Sequence, residues 1–246
     1  MNYEAIFRAR GEAYAAAMHR WPEARRDEFL FPVRLAGVVA GETVLDVPAG
    51  GGYLQRYLPA GSHWRGHEPC ASFFADRVEL NAGLLPLPFA DGSADVAISV
   101  AGVHHLADKR PLLCELHRAL RPGGRLVVAD AHAGSAVARF LDEFVGRYNS
   151  TGHEGIYLDE RTVADVASAG LVLERVEQLR YAWWFANRDD MAAFCRQLFD
   201  MREATLPMVL EAIESRLGIV TREGDAGPEF GMSWELRALL CRKAGL

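Results

Sequence analysis

The stretch VLDVPAGGG, residues 44–52, decides how this chain is read. Thr43, Val44, Leu45 and Val47 form a short β-branched and apolar run, the composition of a strand buried on both faces. The run passes through Asp46 and ends in Gly50, Gly51 and Gly52, which let the chain turn tightly while its backbone approaches a ligand. Glu68, in HWRGHEPC, closes the next strand-like run. A carboxylate at that place, roughly 20 residues after the glycine turn, can accept two hydrogen bonds from a ribose diol. The pair points to an adenosine-containing cofactor. A dinucleotide fold would seat a pyrophosphate with G-x-G-x-x-G, and Pro48 and Gln55 break that pattern. A nicotinamide-dependent oxidoreductase is therefore the weaker alternative.

On either side of this stretch, strands are expected near 43–48, 63–68, 77–81, 95–100 and 125–130. Helices near 51–58, 70–75 and 110–120 fall between most of them, so the chain reads as α/β with a parallel sheet covered on both faces. In the third of these helices Leu112, Leu113, Leu116 and Leu120 make one apolar stripe, ended by Arg121, Pro122 and Gly123–Gly124. A further helix, 160–169, stops at Gly170 and leads into the alternating run LVLERVEQLR, 171–180. Residues 4–20 read as a helix with Ile6, Phe7, Ala13, Tyr14, Ala17 and Met18 on one part of its surface and Arg8, Arg10, Glu12 and His19 as its polar part. Such a helix lies over the cofactor mouth or packs on the sheet edge. Residues 181–230 begin YAWWFANRDD and hold helical stretches near 188–199 and 204–217 before Gly224 and Gly227–Pro228. They are expected to cap the carboxyl ends of the strands, where open α/β folds bind ligands.

Two further segments, LPLPFADGSADVAISVAGVHHLAD (85–108) and RALRPGGRLVVAD (118–130), come after the glycine turn and Glu68 in order. Together the four resemble the class I S-adenosylmethionine-dependent methyltransferases of the small-molecule group over residues 38–180. That family's first motif is V-L-D-x-G-x-G-x-G, with Pro48 here replacing the first glycine. The resemblance implies a Rossmann-like, mostly parallel seven-stranded sheet with helices on both faces and a helical cap insertion. The chain then divides into an N-terminal helical segment (1–37), a cofactor-binding core (38–180), the cap (181–230) and a final strand (231–246), in which MSWELRALLCRK runs antiparallel.

The resemblance also implies S-adenosylmethionine as cofactor and S-adenosylhomocysteine as product. Asp46 would organise the methionine end, and the backbone at Pro48, Ala49 and Gly50 would line its ammonium and carboxylate, with Gly52 completing the turn. Proline lacks an N–H but keeps its carbonyl, so a contact from that carbonyl survives the replacement. Glu68 and Pro69 fall at the ribose, Asn81 and Ala82 at the adenine amino group, and Val100 and Ala101 at the end of the fourth strand. The implied reaction is in-line displacement at the sulfonium methyl by an oxygen, nitrogen or carbon nucleophile of a small molecule. Alignment alone supplies up to ~7–11 kcal/mol in such cases, and a general base adds roughly 10²–10⁴-fold for a poorly acidic nucleophile.

Imidazole accepts a proton near neutral pH, so histidines are the catalytic candidates. His104 and His105 leave the fourth strand where the methyl group should point. His132, two residues after Asp130, and His153, in NSTGHEGIY, compete with them, and Tyr157 is a possible hydrogen-bond donor. Trp183, Trp184 and Phe185 form either an aromatic wall for a planar acceptor or the packed core of the cap. His63 and His67 share one side of a strand, but no carboxylate or cysteine completes a ligand set, and no metal is expected.

Charge of both signs is mixed along the chain, with a net of −6, which disfavours a nucleic-acid partner held mainly through phosphates. Cys70, Cys114, Cys195 and Cys241 form no C-x-x-C pair, and MNYEAIFRARGEAY lacks the apolar core of a signal peptide, so a cytoplasmic setting is expected. No apolar run approaches the ~20 residues of a bilayer span, so no membrane partner is expected. From outside the enzymes, the rival reading is a catalytically silent S-adenosylmethionine-binding scaffold or sensor.

Overall fold

The computed structural model describes residues 3–73 and 83–245. Seven strands form one sheet: β1 (Thr43–Asp46), β2 (His63–Gly66), β3 (Ala94–Val100), β4 (Leu120–Asp130), β5 (Leu171–Phe185), β6 (Ile219–Gly224) and β7 (Gly227–Lys243). Their order is β2-β1-β3-β4-β7-β5, with β6 also pairing β7. The first four are mutually parallel, and β7 runs antiparallel to β4, β5 and β6.

Each central strand is buried on both faces because its apolar side chains alternate between two cores. Val44, Val96, Ile98, Val127 and Ala129 pack on one side with helix α2 (Arg26–Ala36), while Leu45, Ala97, Leu126 and Val128 pack on the other with α3 (Arg110–Ala119) and α6 (Glu160–Ser168). The expected leucine stripe is the buried face of α3: Leu112, Leu113 and Leu116 are all buried there. Helix α1 (Tyr3–Arg20) and the cap helices α7 (Arg188–Leu198) and α8 (Leu206–Arg216) cover the first core. Asn187 and Thr205 cap α7 and α8 by accepting backbone amides, close to the expected starts.

Several boundaries differ from the expectation. The helices expected at 51–58 and 70–75 are short 3₁₀ turns, Tyr53–Tyr57 and Ala71–Phe73. The first comes after Gly52 in the left-handed region and runs toward Pro59, which leaves too few residues for a cooperative α-helix. The strand expected at 77–81, with Asn81 and Ala82, lies outside the described residues. β5 does not stop at 180: Tyr181–Phe185 continue it, paired to β7 as far as Phe185 opposite Phe230. Aromatic residues favour a half-buried pleated surface, and this run belongs to the sheet rather than to the cap. The end of the expected cap is a hairpin, β6 turning at Asp225–Ala226 into β7, so the final strand begins at Gly227 rather than 231. A helical segment at 136–148 is not announced by the sequence pattern; α4 (Ala136–Arg139) and α5 (Gly146–Tyr148) flank a π-helical run, Phe140–Val145. Among the described residues, no helix is long and apolar enough to cross a membrane.

Candidate active site

At the carboxyl end of β1 the chain turns as the glycines require. Gly50 and Gly52 have φ of +52° and +75°, where side-chain-bearing residues are strained. The Gly50 amide donates to Glu68 Oε2 at 2.9 Å, and the Cys70 amide donates to Oε1 at 2.9 Å. These bonds fix the carboxylate at the tip of the second strand. Burial raises the Glu68 carboxyl above the ordinary range, against hydrogen bonds that favour its charged form. Asp46 is buried and accepts Trp64 Nε1–H at 3.2 Å, and burial pushes its carboxyl well up too. Asp46, Pro48, Ala49, Gly50, Val100 and Ala101, six of the residues expected at the cofactor, line one pocket. Gly52, Glu68 and Pro69 are not in its wall, although Glu68 is bonded to Gly50 and Tyr3, which are. A Cβ at Gly52 would lie 3.2 Å from Trp64, so its service is to the turn and to packing. Ala101 is held at φ +48°, a strain of order 1–3 kcal/mol that tends to persist at functional sites.

Helix α1 lies over this mouth. Tyr3, Phe7 and Tyr14 line the pocket, and the Tyr3 hydroxyl donates to Glu68 Oε2 at 2.6 Å.

A second pocket adjoins the first across Phe7, Tyr14, Arg25 and Ala101, which line both. Three of the four candidate histidines converge in it: His104, His105 and His153, each with a ring nitrogen within 4.8 Å of the others. Two carboxylates orient two of the rings. Asp130, at the end of β4, approaches His104 Nδ1 at 2.7 Å and also accepts the His104 amide at 3.0 Å and the Ala131 amide at 2.7 Å. Asp142, on the π-helical run, approaches His153 Nδ1 at 3.1 Å and accepts the Tyr157 hydroxyl at 2.5 Å. Burial first, then His104 and His153, pushes the His105 imidazole well below its ordinary value; burial first, then His104, lowers His153 to about 4. Both are therefore neutral at pH 7 and able to accept a proton or donate one N–H. The trio has the residue types of a metal set, although no metal was expected. His63 and His67 do not join it, since His67 Nε2 meets the Leu84 carbonyl at 3.1 Å and His63 is exposed.

His132 stands apart. It is half-buried and absent from that wall, and its backbone forms an isolated bridge with Leu158. Trp183 and Trp184, adjacent on β5, point to opposite faces as strand residues must. Trp183 is fully buried, lines the histidine pocket, stacks on Trp234 at 4.2 Å and donates Nε1–H to Glu28 at 2.7 Å. Trp184 is half-buried under the Arg222 guanidinium, 3.9 Å from the ring centroid. Phe185 is buried against Phe194 of α7. The aromatic wall and the packed core are thus one structure in Trp183, while the other two rings pack elsewhere.

Sequence reasoning missed Tyr3, Arg10, Arg25, Glu28 and Asp142. Composition alone puts Arg10 on the polar side of α1, yet Tyr3, Phe7, Arg10 and Tyr14 recur at helical spacing and share the inward face. That spacing was the available signal. Asp142 had none, because it is placed by a π-helical run, a feature frequent at functional sites.

Residues 45–128 match a family model described as a methyltransferase domain. The O-methyltransferase resE of Aspergillus sclerotiorum is 40% identical over 79 residues, covering 30% of each chain. A demethylmenaquinone methyltransferase of Clavibacter sepedonicus is 34% identical over 111 residues, 39% of this chain and 44% of that one. These matches span under half the length of the two relatives. Among solved structures, the geranyl diphosphate C-methyltransferase of Streptomyces coelicolor A3(2), in complex with Mg²⁺, geranyl diphosphate and S-adenosyl-L-homocysteine, is 18% identical with a TM-score of 0.54, covering 92% of this chain and 80% of that one. Over residues 45–128 the chain is thus similar to methyltransferase domains, and it shares its fold with solved methyltransferase structures.

Proposed function

We propose that this protein transfers the methyl group of S-adenosylmethionine to an oxygen, nitrogen or carbon nucleophile of a small molecule held in the histidine pocket. The observation that carries the reading is the adjacency of the two pockets: they share Phe7, Tyr14, Arg25 and Ala101, so an acceptor in one would lie beside a cofactor in the other. Cofactor binding exchanges the Tyr3 hydroxyl on Glu68 for the ribose. His104 serves as the base, because Asp130 holds its Nδ1 and leaves Nε2 for the acceptor. Alignment of nucleophile, methyl carbon and sulfur within an enclosed site supplies the rest of the acceleration. The four cysteines are free, which suits a reducing cytoplasm.

Calorimetric titration with S-adenosylmethionine, S-adenosylhomocysteine and NAD tests the reading. The sulfur compounds should bind and NAD should not; tight NAD binding alone would overturn it, and cofactor binding without turnover on a broad acceptor panel would favour a silent sensor. Glu68→Ala should weaken S-adenosylhomocysteine by roughly 1.5–3 kcal/mol, the range for hydrogen bonds to a charged group. Unchanged affinity in a folded variant removes Glu68 from the site.

The depressed imidazoles of His105 and His153 also make stability depend on pH. His105 and His153 bind protons less readily folded than unfolded, so the unfolded chain takes up more protons as pH falls below ~6.5. Stability from this source is full above that value and is lost progressively toward the folded value of about 4 for His153. Thermal melts between pH 7.5 and 5 should show this decline, and His153→Phe should flatten it. An equal slope in the variant would show that other groups set the dependence.

A further inference from the structure

Among the described residues, Arg10 is a buried cation with two guanidinium nitrogens left without a partner. Its residue is 4% exposed, it lines the histidine pocket, and its Nε and Nη1 have no hydrogen-bond partner among the described residues. Burial lowers the guanidinium to about 10, which still leaves it charged at neutral pH. An unpaired buried cation is unfavourable unless something else supplies the counter-charge.

The acids near it are already engaged. Glu28 pairs with Arg25 at 2.6 Å and accepts Trp183 Nε1–H. Both oxygens of Asp130 are taken by His104 and the Ala131 amide. Asp200, whose charge acts on Arg10 through space, is bonded to Arg202 and Ser150. His105 and His153 are neutral, so they neither neutralise the guanidinium nor compete with it. The same cation beside three imidazoles opposes a divalent metal there.

We infer that Arg10 is the receptor for an anionic group, a carboxylate by its planar fork geometry, on the methyl acceptor. Two carboxylates are available in principle, the acceptor's and that of the cofactor's methionine moiety. Arg10 lines the histidine pocket and not the pocket at Pro48–Gly50, which assigns it to the acceptor. Trp183, Phe199 and Trp234 enclose the same space with apolar surface. The substrate class is therefore an aromatic or otherwise apolar acid, its charge on Arg10 and its nucleophile toward His104. The word acceptor rests on the methyl-transfer reading; the anion site does not.

The test titrates the free protein and its S-adenosylhomocysteine complex with sodium benzoate and with benzamide, followed by tryptophan fluorescence and thermal melting. Benzoate should bind at least tenfold more tightly than benzamide, and Arg10→Met should erase that preference while leaving S-adenosylhomocysteine affinity within twofold. Arg10→Met replaces an unpaired charge by an apolar side chain and should keep or raise the melting temperature; Arg10→Lys, which retains the charge, should keep part of the preference. Equal binding of benzoate and benzamide, binding of neither, or a preference that survives in Arg10→Met overturns the inference. Tenfold weaker S-adenosylhomocysteine binding in Arg10→Met, with 5′-methylthioadenosine unaffected, would place the guanidinium on the cofactor's own carboxylate and overturn the acceptor assignment. Failure of S-adenosylhomocysteine to bind the unaltered protein removes the methyl-transfer reading alone, and the benzoate comparison on the free protein still decides the anion site.

Discussion

His104→Gln is expected to lower turnover by roughly 10²–10⁴-fold, the usual contribution of a positioned general base, with S-adenosylhomocysteine affinity unchanged. The ring's surroundings are the reason. Asp130 holds Nδ1 at 2.7 Å and clamps the same residue's backbone amide at 3.0 Å, so both the ring and its chain segment are fixed. The tautomer with the proton on Nδ1 leaves Nε2 as an acceptor for the nucleophile's proton. Asp130→Asn should reproduce much of the loss, because a carboxamide no longer enforces that tautomer, and it should change the pH profile as well as the rate. His105 and His153 are the internal controls. If His105→Gln removes more activity than His104→Gln, the unpaired imidazole is the base and the Asp130 pair is architectural. Single-turnover rates on a saturated cofactor complex separate the two outcomes from effects on binding.

The sheet was legible because its strands announce themselves twice, through apolar composition and through the glycines and acids at their carboxyl ends. Val44 to Val47 run straight into glycines that the structure finds at positive φ, and the leucines of α3 show a stripe that the fold buries. The position of Glu68 was legible for the same reason: it follows the next strand and is bonded to the Gly50 and Cys70 amides. Two of the errors share one physical source: local patterns do not say where tertiary pairing ends. YAWWF lost its alternation in a run of aromatics, and only pairing with β7 shows that the strand persists to Phe185. Gly224 and Gly227 read as a loosened chain but are the ends of a hairpin. The glycine turn could be read from sequence because its residues are close together along the chain. The histidine pocket could not, since Arg10, His104, His153 and Trp183 come from four distant segments and meet only through packing.

Trp183→Ala is expected to destabilise the protein by about 3–5 kcal/mol, the range for removing a large buried aromatic side chain. The ring is fully buried, stacks on Trp234 at 4.2 Å, meets Phe194 edge-on at 5.6 Å and has the Arg25 guanidinium 5.0 Å from its centroid. Its Nε1–H also satisfies Glu28, the partner of Arg25, so truncation removes a hydrogen bond from a buried ion pair as well as opening a cavity. Trp183→Phe should recover most of the packing but not that bond, and should fall between the two. Trp184→Ala, one residue on and on the opposite face, should cost far less, with about 0.5–1 kcal/mol of it from the exposed contact with Arg222. Denaturant unfolding of the four proteins measures the series. Equal losses at 183 and 184 would contradict the facing of β5, whereas the predicted asymmetry would mean that one ring both holds the cap to the sheet and forms a wall of the acceptor pocket. Acceptor affinity would then be coupled to cap stability, so Trp183→Phe should weaken acceptor binding before it weakens cofactor binding.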